Sequence, residues 1–268
     1  MKPTARTSAI TRRALLAGAG ALAAVPTFAQ VPLPRFRPET SPETFEGTGP
    51  ITEAATGRAL NARELIDRLA EAPIVLIGER HGYQPHQERT AFVLQALADR
   101  GRYPTLALEM LEPLQSLAVE AYRRRNPEYA RGLAAELDWA SSGWPAWHYY
   151  EPIFEAAFAA KLPVRGIDMP ESEQDRILAE GIEARPAEPA ILDYWRDNMR
   201  RAHRGLIDDE RVERLALLQW RRDVGFAEHA AAVEGPVVVL VGRAHLTRSW
   251  EELGGRGLRL DYVAATLS

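Results

Sequence analysis

The sequence of 268 residues contains no cysteine. This absence excludes disulfide bonds, thiolate catalysis, thiolate metal sites, covalent attachment of c-type haem and lipidation of a cysteine. Any metal ion would therefore be held by histidine, aspartate, glutamate, tyrosine or methionine side chains, or by the backbone.

The chain also lacks an excess of positive charge, with 33 Lys and Arg against 37 Asp and Glu. Four of the basic residues and none of the acids lie in residues 1–29, so the remainder carries a net charge of −8, from 29 basic and 37 acidic residues. This balance argues against a nucleic acid or an anionic membrane surface as the partner.

No hydrophobic run is long enough to span a bilayer, although an apolar stretch follows Arg12 and Arg13. The stretch at residues 14–25, followed by Thr-Phe-Ala at 27–29, is typical of a cleaved export signal. The paired arginines favour twin-arginine export, and an ordinary secretory signal is the alternative. We therefore expect the mature chain to have no transmembrane helix and to lie in the periplasm.

Residues 30–50 are rich in Pro, Thr and Glu and predict an extended lead-in to one α/β domain over 51–268. Runs of Val, Ile and Leu without alternation predict strands that are covered on both faces, which is typical of a parallel sheet. The predicted strands are residues 74–78, 105–108, 163–167, 237–241 and 258–263.

Helical segments separate these strands, as expected for parallel crossovers. Asn61 is the expected N-cap of the first helix, and Pro85 is expected at the start of the second, which stops at Gly101. The remaining predictions are helical segments over 111–138, an aromatic loop over 139–150, a helix over 152–161, a largely helical insertion over about 171–233 before the last core strands, and a helix after residue 246.

Two copies of Gly-x-x-His each follow a predicted strand, at residues 78–81 and 242–245. In parallel sheets, ligands bind beyond the carboxyl ends of the strands. Because both motifs leave the sheet at that edge, we expect His81 and His245 to meet there although they are far apart in sequence.

The strand ends carry acids as well. Glu79 and Glu109 follow the first two strands, and Asp168 follows the third, where it could instead cap the next helix. Two imidazoles with carboxylates are the ligands of a divalent metal site with an open position, and a spare carboxylate could act as a general base. We therefore predict a shared polar site with the candidate catalytic residues Glu79, His81, Glu109 and His245.

The aromatic segment at residues 144–150 allows two interpretations. It could be core beneath a loop, or a wall for a flat apolar ligand. Tyrosine and histidine can both ligate haem iron.

The order and spacing of these motifs resemble the ChaN-like family of iron-regulated haem-binding proteins, over about residues 70–265. The matching segments are residues 74–81, 107–110, 150–157, 162–164, 219–227 and 239–245. Within 219–227, Asp223 and Ala227 fit a family Asp-x-x-Met-Ala element in which Phe226 replaces Met.

The resemblance implies haem binding through a tyrosine, with two subunits pairing around haem as a homodimer. Tyr83 and Tyr150 are the candidate haem ligands. In related enzymes of the wider superfamily, which includes Tiki proteases, TraB-like proteins and erythromycin esterases, the matching histidines and acids bind metal or hydrolyse substrates. Family members are often lipoproteins, and this chain cannot be one because it has no cysteine.

Three functions remain open. The first is a periplasmic haem-binding protein in haem or iron uptake or handling, with haem or another small molecule as partner. The second is a metal-dependent hydrolase, protease-like or esterase-like, with His81, His245, Glu109 and Asp223 as candidate metal ligands. The third is a binding module in which the polar cluster is a relic.

Overall fold

The computed structural model describes residues 51–246, apart from residues 128 and 187, and the backbone of residues 258–261. The predicted export signal and lead-in lie outside the described residues, as does the predicted helix after residue 246. None of the described helices is both long and apolar enough to cross a bilayer.

Five parallel strands form the central sheet. Their bounds are Ile74–Glu79 (β3), Thr105–Leu108 (β4), Val164–Gly166 (β5), Val237–Gly242 (β6) and Leu258–Asp261 (β7). Their spatial order is β5-β4-β6-β3-β7. A separate antiparallel pair, β1 (Ile51–Thr52) and β2 (Ala59–Leu60), precedes them. The predicted α/β class with a parallel sheet is confirmed.

Eight α-helices connect or flank these strands in the described residues. They are α1 (Ala62–Glu71), α2 (Gln84–Asp99), α3 (Gln115–Arg125), α4 (Leu133–Glu136), α5 (Trp147–Ala159), α6 (Glu171–Glu180), α7 (Pro189–Ala202) and α8 (Asp209–Ala231). Asn61 caps α1 as expected, because its side chain accepts from the backbone N–H of Glu64 while the Glu64 carboxylate accepts from the N–H of Asn61.

The two faces of the sheet are covered by different helices. Leu and Val side chains from β3, β4 and β6 pack on α1, α2 and α5 on one face. On the other face, Leu76 and Val239 pack against Phe226 and Ala230 of α8. The continuous apolar strands are thus buried on both sides, as their composition indicates.

The predicted insertion consists of three helices, α6 to α8. Helix α8 packs against two different parts of the structure. Its first half packs on α7 through Trp195 and Leu217 and on α6 through Ile177 and Leu218. Its second half covers the sheet through Phe226. The insertion is therefore anchored to the sheet by its own last helix.

The aromatic loop prediction was wrong for residues 147–150. Helix α5 begins at Trp147 rather than near Pro152, and Pro152 lies inside it. Proline removes one hydrogen bond from a helix, but Tyr150, Ile153 and Phe154 are all buried on this helix. Burial of three large side chains outweighs the local preference of one residue.

Gly166 provides a test of how tightly β5 is held. A Cβ atom at this position would lie 2.1 Å from the backbone carbonyl oxygen of Glu112, which cannot move as a flexible side chain could. We expect Gly166→Ala to lower the free energy of unfolding by about 3 kcal/mol in urea denaturation.

Gly225 is the matched control, because a Cβ there meets nothing within 4 Å on helix α8. Gly225→Ala should stabilise the protein by roughly 0.5–1 kcal/mol. Equal effects of the two substitutions would contradict the close packing of β5 against the segment at Glu112.

Candidate functional site

The end of β3 holds a carboxylate with a histidine and a tyrosine. Glu79 is buried, and its Oε1 lies 2.7 Å from Nδ1 of His81 and accepts a hydrogen bond of 2.9 Å from the hydroxyl of Tyr150. Its Oε2 accepts a hydrogen bond from the side-chain amide of Gln87. Glu79 therefore fixes the orientation of the His81 ring.

His81 itself is only partly covered. Its ring meets the indole of Trp144 edge-on at 5.0 Å between centroids. Burial opposes the imidazolium, but the hydrogen bond with Glu79 and the charges of Glu109 and Glu79 outweigh it, so the pKa of His81 is raised above its ordinary value.

A second histidine and carboxylate pair lies beyond β6. Nδ1 of His245 is 2.8 Å from Oδ1 of Asp223 on α8, and Oδ2 of Asp223 accepts a hydrogen bond of 2.8 Å from the indole N–H of Trp195 on α7. Burial raises the pKa of Asp223, although the charge and hydrogen bond of His245 oppose this. The insertion thus supplies the partner of the second histidine.

Glu109 lies between the two imidazoles. Its Oε2 is 3.9 Å from Nε2 of His81, and its Oε1 is 3.5 Å from Nε2 of His245. Burial alone would raise the pKa of Glu109, but the charges of His245, Arg222 and His81 and the N–H of Gly242 hold it well below its usual range.

Arg222 is the residue that sequence reasoning missed. Its guanidinium donates to both carboxylate oxygens of Asp168, at 2.8 Å each, and to Oε1 of Glu109 at 2.9 Å. It is 8% exposed, so helix α8 places a nearly buried cation among the strand-end acids. The sequence indicates that some cation is needed here, because it places three carboxylates at the ends of buried strands and buried acids require a positive partner. It does not indicate which residue supplies the charge.

The glycines of the two Gly-x-x-His motifs each make room for the other motif. A Cβ at Gly242 would lie 2.6 Å from Nε2 of His81, and a Cβ at Gly78 would lie 2.9 Å from a methyl carbon of Leu246 and 3.2 Å from Cα of Arg243. The motifs are therefore two halves of one packed unit, as their positions at neighbouring strand ends predict.

The structure brings together every polar residue predicted at the strand ends, including Asp168. The proposed metal ligands are His81, His245, Glu109 and Asp223, but among the described residues no group of three is placed to hold a metal ion. Nδ1 of each histidine is paired with a carboxylate, and Arg222 donates to Glu109. Because pairing at Nδ1 leaves Nε2 able to ligate a metal, the metal expectation stays a prediction.

The two candidate haem ligands differ sharply in environment. Tyr150 is fully buried with its hydroxyl on Glu79, and burial together with the Glu79 charge raises the pKa of its phenol. Tyr83 is 40% exposed, and its hydroxyl makes no hydrogen bond within the described part of the chain. Of these two tyrosines, Tyr83 is the one that a ligand can reach from solvent.

Tyr83 lies in an exposed region near the aromatic segment. The guanidinium of Arg80 lies 5.9 Å from the centroid of the Tyr83 ring, and Gly82 places the chain against Pro145 and Tyr149. We call the region formed by Arg80, Tyr83, Pro145 and Tyr149 the Tyr83 surface. It combines an accessible phenol with aromatic and cationic side chains.

Glu109 is also among the residues that line a cleft of about 470 Å³. Its walls contain many more acids than bases, since Arg222 is the one basic side chain among the described residues that line it. The charged and aromatic lining residues are Glu109, Glu112, Asp138, Trp144, Asp168, Glu171 and Arg222. This acidic cleft disfavours an anionic ligand.

Replacement of Arg222 tests its role directly. Arg222→Met leaves Glu109 and Asp168 buried without their cation, so we expect the free energy of unfolding to fall by about 3–5 kcal/mol at pH 7. The matched control is Arg221→Met, which breaks one exposed pair of 3.4 Å with Glu228 and should cost less than about 1 kcal/mol.

The loss of stability caused by Arg222→Met should decrease as the pH falls. The pKa of Glu109 is lower in the folded protein, so its contribution to stability is present at neutral pH and is lost as the pH falls below the ordinary value of 4.5. The difference in the free energy of unfolding between wild type and Arg222→Met should therefore become smaller from pH 7 to pH 3. A difference that widens over this range would contradict the ion-pair account.

Comparison with known proteins supports the resemblance found in the sequence. No curated protein matches the chain. Among solved structures, "Cofacial heme binding to ChaN of Campylobacter jejuni" superposes with a TM-score of 0.69 at 18% identity, covering 82% of this chain and 92% of that one. "The structure of the type III effector HopBA1" gives a TM-score of 0.40 at 18% identity, covering 68% of this chain and 71% of that one, and carries no argument.

The structural likeness to the Campylobacter jejuni protein shows a shared fold. The family itself is shown by the sequence, because residues 65–251, which are most of the chain, match the family described as haem-binding uptake, Tiki superfamily, ChaN. The protein therefore belongs to the ChaN family of haem-binding uptake proteins, within the Tiki superfamily.

Proposed function

We propose that this chain binds haem at the Tyr83 surface, with the Tyr83 phenolate as the iron ligand. The observation that carries the proposal is the exposure of Tyr83 beside Arg80, while Tyr150 is buried and bonded to Glu79. Family membership supports the ligand, and phenolate ligation of haem iron is well known chemistry.

The charges of the acidic cleft and of the Tyr83 surface support this placement. Haem carries two carboxylates, which the acidic cleft at Glu109 would repel. The Tyr83 surface instead presents a cation and flat aromatic side chains. The residues present therefore fit the ligand on that side.

A haem titration of two tyrosine variants tests the proposal. Tyr83→Phe removes the ligand oxygen without changing the ring, and we expect its Kd for haem to rise by about tenfold or more. The charge-transfer absorption band of a phenolate–iron bond should also disappear in this variant.

Tyr150→Phe is the matched control and should bind haem about as well as the wild type. Circular dichroism should show that both variants are folded, since Tyr150→Phe leaves Glu79 with one hydrogen bond fewer. Retention of the absorption band in Tyr83→Phe and its loss in Tyr150→Phe would reverse the assignment.

We also propose that the exported protein acts in haem or iron uptake or handling in the periplasm, as a homodimer that forms around haem. ChaN of Campylobacter jejuni binds haem cofacially. An exposed haem on the Tyr83 surface would leave one face of the porphyrin open for a second copy. Sedimentation of the protein with and without haem should show haem-dependent doubling of mass.

A second candidate function, metal-free acid–base hydrolysis, is favoured by one observation. Both imidazoles have Nδ1 on a carboxylate, at 2.7 and 2.8 Å, and both direct Nε2 towards Glu109. A carboxylate on Nδ1 fixes the tautomer in which Nε2 can accept a proton. In an ester hydrolysis, His81 would take a proton from water as the water oxygen bonds to the carbonyl carbon. The His81 imidazolium would then return that proton to the leaving oxygen as the C–O bond breaks, which gives the alcohol and the carboxylic acid.

Hydrolysis of p-nitrophenyl acetate tests this candidate. We expect a rate above background that survives a metal chelator and falls about 100-fold or more in His81→Gln or His245→Gln. His229→Gln is the control, because the described contact of His229 is with a backbone carbonyl of its own helix. A rate that the chelator abolishes, or that is unchanged in both variants, would sink the proposal.

A further inference from the structure

The acidic cleft shares part of its wall with the two histidine and carboxylate pairs. Glu109 lines the cleft and lies 3.9 Å from Nε2 of His81 and 3.5 Å from Nε2 of His245. Trp144 also lines the cleft, and its indole packs against the ring of His81 with 5.0 Å between the centroids. A molecule in the cleft would therefore lie beside the imidazoles to which acid–base hydrolysis is assigned.

A nearly buried nitrogen faces this wall without a close partner. His245 is 5% exposed, and in the described part of the chain its ring is hydrogen-bonded at Nδ1, to Asp223. Its Nε2 lies 3.5 Å from Oε1 of Glu109, which is longer than an ordinary hydrogen bond. Buried polar atoms normally have a partner, and a water molecule or a substrate oxygen beside Glu109 could supply it.

Three acids of the cleft also lack a positive partner. Arg222 donates to Glu109 and Asp168. The other acidic lining residues, which make no ion pair with any described basic side chain, are Glu112, Asp138 and Glu171. Glu112 accepts from the backbone N–H of Glu171, and Asp138 accepts from the hydroxyl of Ser141, and both donors are uncharged. Their negative charge is therefore left to attract a cation.

The size and the remaining lining of the cleft suit a small organic molecule. A volume of about 470 Å³ lies within the range of ligand pockets. Leu111, Leu137 and Trp144 provide apolar surface for a hydrocarbon chain, and an indole can also attract an ammonium group.

We propose that the acidic cleft is the substrate pocket of the histidine and carboxylate pairs, and that it takes esters whose acyl chain carries an ammonium group. Water adds to the acyl carbon and gives its proton to His81, which returns it to the leaving oxygen as the C–O bond breaks. The products are the ammonium-bearing carboxylic acid and an alcohol. The inference rests on the proposed hydrolytic function and adds the class of substrate.

A pair of esters that differ in charge alone tests the substrate class. One is the p-nitrophenyl ester of pentanoic acid with a terminal trimethylammonium group, and the other is its isostere with a tert-butyl group in place of the cation. We expect kcat/KM, divided by the uncatalysed rate, to be about tenfold or more higher for the cationic ester. This ratio should fall as salt is added, because salt screens exposed charges.

Two variants remove one negative charge each from the cleft. Asp138→Asn and Glu171→Gln should each lower the ratio of kcat/KM for the two esters by about threefold. Asparagine can still accept from Ser141, and it tolerates the positive φ of 47° at this position. Because both esters are measured on the same protein sample, a partly unfolded variant does not change the ratio.

Asp175→Asn is the matched control, because Asp175 is an exposed acid of the same helix α6 as Glu171 but does not line the cleft. It removes the same charge and should keep the ratio of the wild type. His81→Gln should lower the rate for both esters, since the cleft serves that imidazole.

The outcomes separate the substrate class from the hydrolytic function. Equal kcat/KM for the two esters in the wild type, or a ratio that neither cleft variant changes, would overturn the cationic substrate and leave hydrolysis standing. Rates that His81→Gln leaves intact would overturn the assignment of the cleft to this site. A wild-type protein that hydrolyses neither ester above background would overturn the hydrolytic function, and the substrate class with it.

Discussion

The guanidinium of Arg222 is the interaction on which the carboxyl edge of the sheet depends. Parallel strands deliver their end residues to one side, and here three of those ends carry acids, Glu79, Glu109 and Asp168. Two of them are held by Arg222, which α8 brings across from the helical insertion. Without that cation, two buried carboxylates would have to be protonated or exposed, at a cost that is a large part of a typical domain's stability.

Because Arg222 neutralises these acids, the two histidines can pack beside Glu109 in fixed positions. Glu109 is left between the Nε2 atoms of His81 and His245, and the glycines of the two motifs allow the close approach. Two regions of different charge lie near this cluster. The cleft lined by Glu109 is acidic, whereas the Tyr83 surface presents the guanidinium of Arg80. A dicarboxylate ligand such as haem is favoured at the second region.

The sequence predicts the sheet and the meeting of the two histidines, because buried parallel strands have a recognisable composition and a fixed polarity. It does not predict Arg222, since an arginine in a polar helix is usually exposed and nothing local indicates its partners. The start of α5 at Trp147 and the choice between Tyr83 and Tyr150 depend on burial, which only tertiary packing decides. The metal expectation stays a prediction, since among the described residues no group is placed to hold a metal ion.

The most direct measurement is a crystal structure of the haem complex, with the iron located by its anomalous scattering. The account predicts iron bonded to the Tyr83 hydroxyl oxygen, with Arg222 still bonded to Glu109 and Asp168. Iron bonded to Tyr150 or to either histidine, or a haem lodged in the acidic cleft, would contradict it.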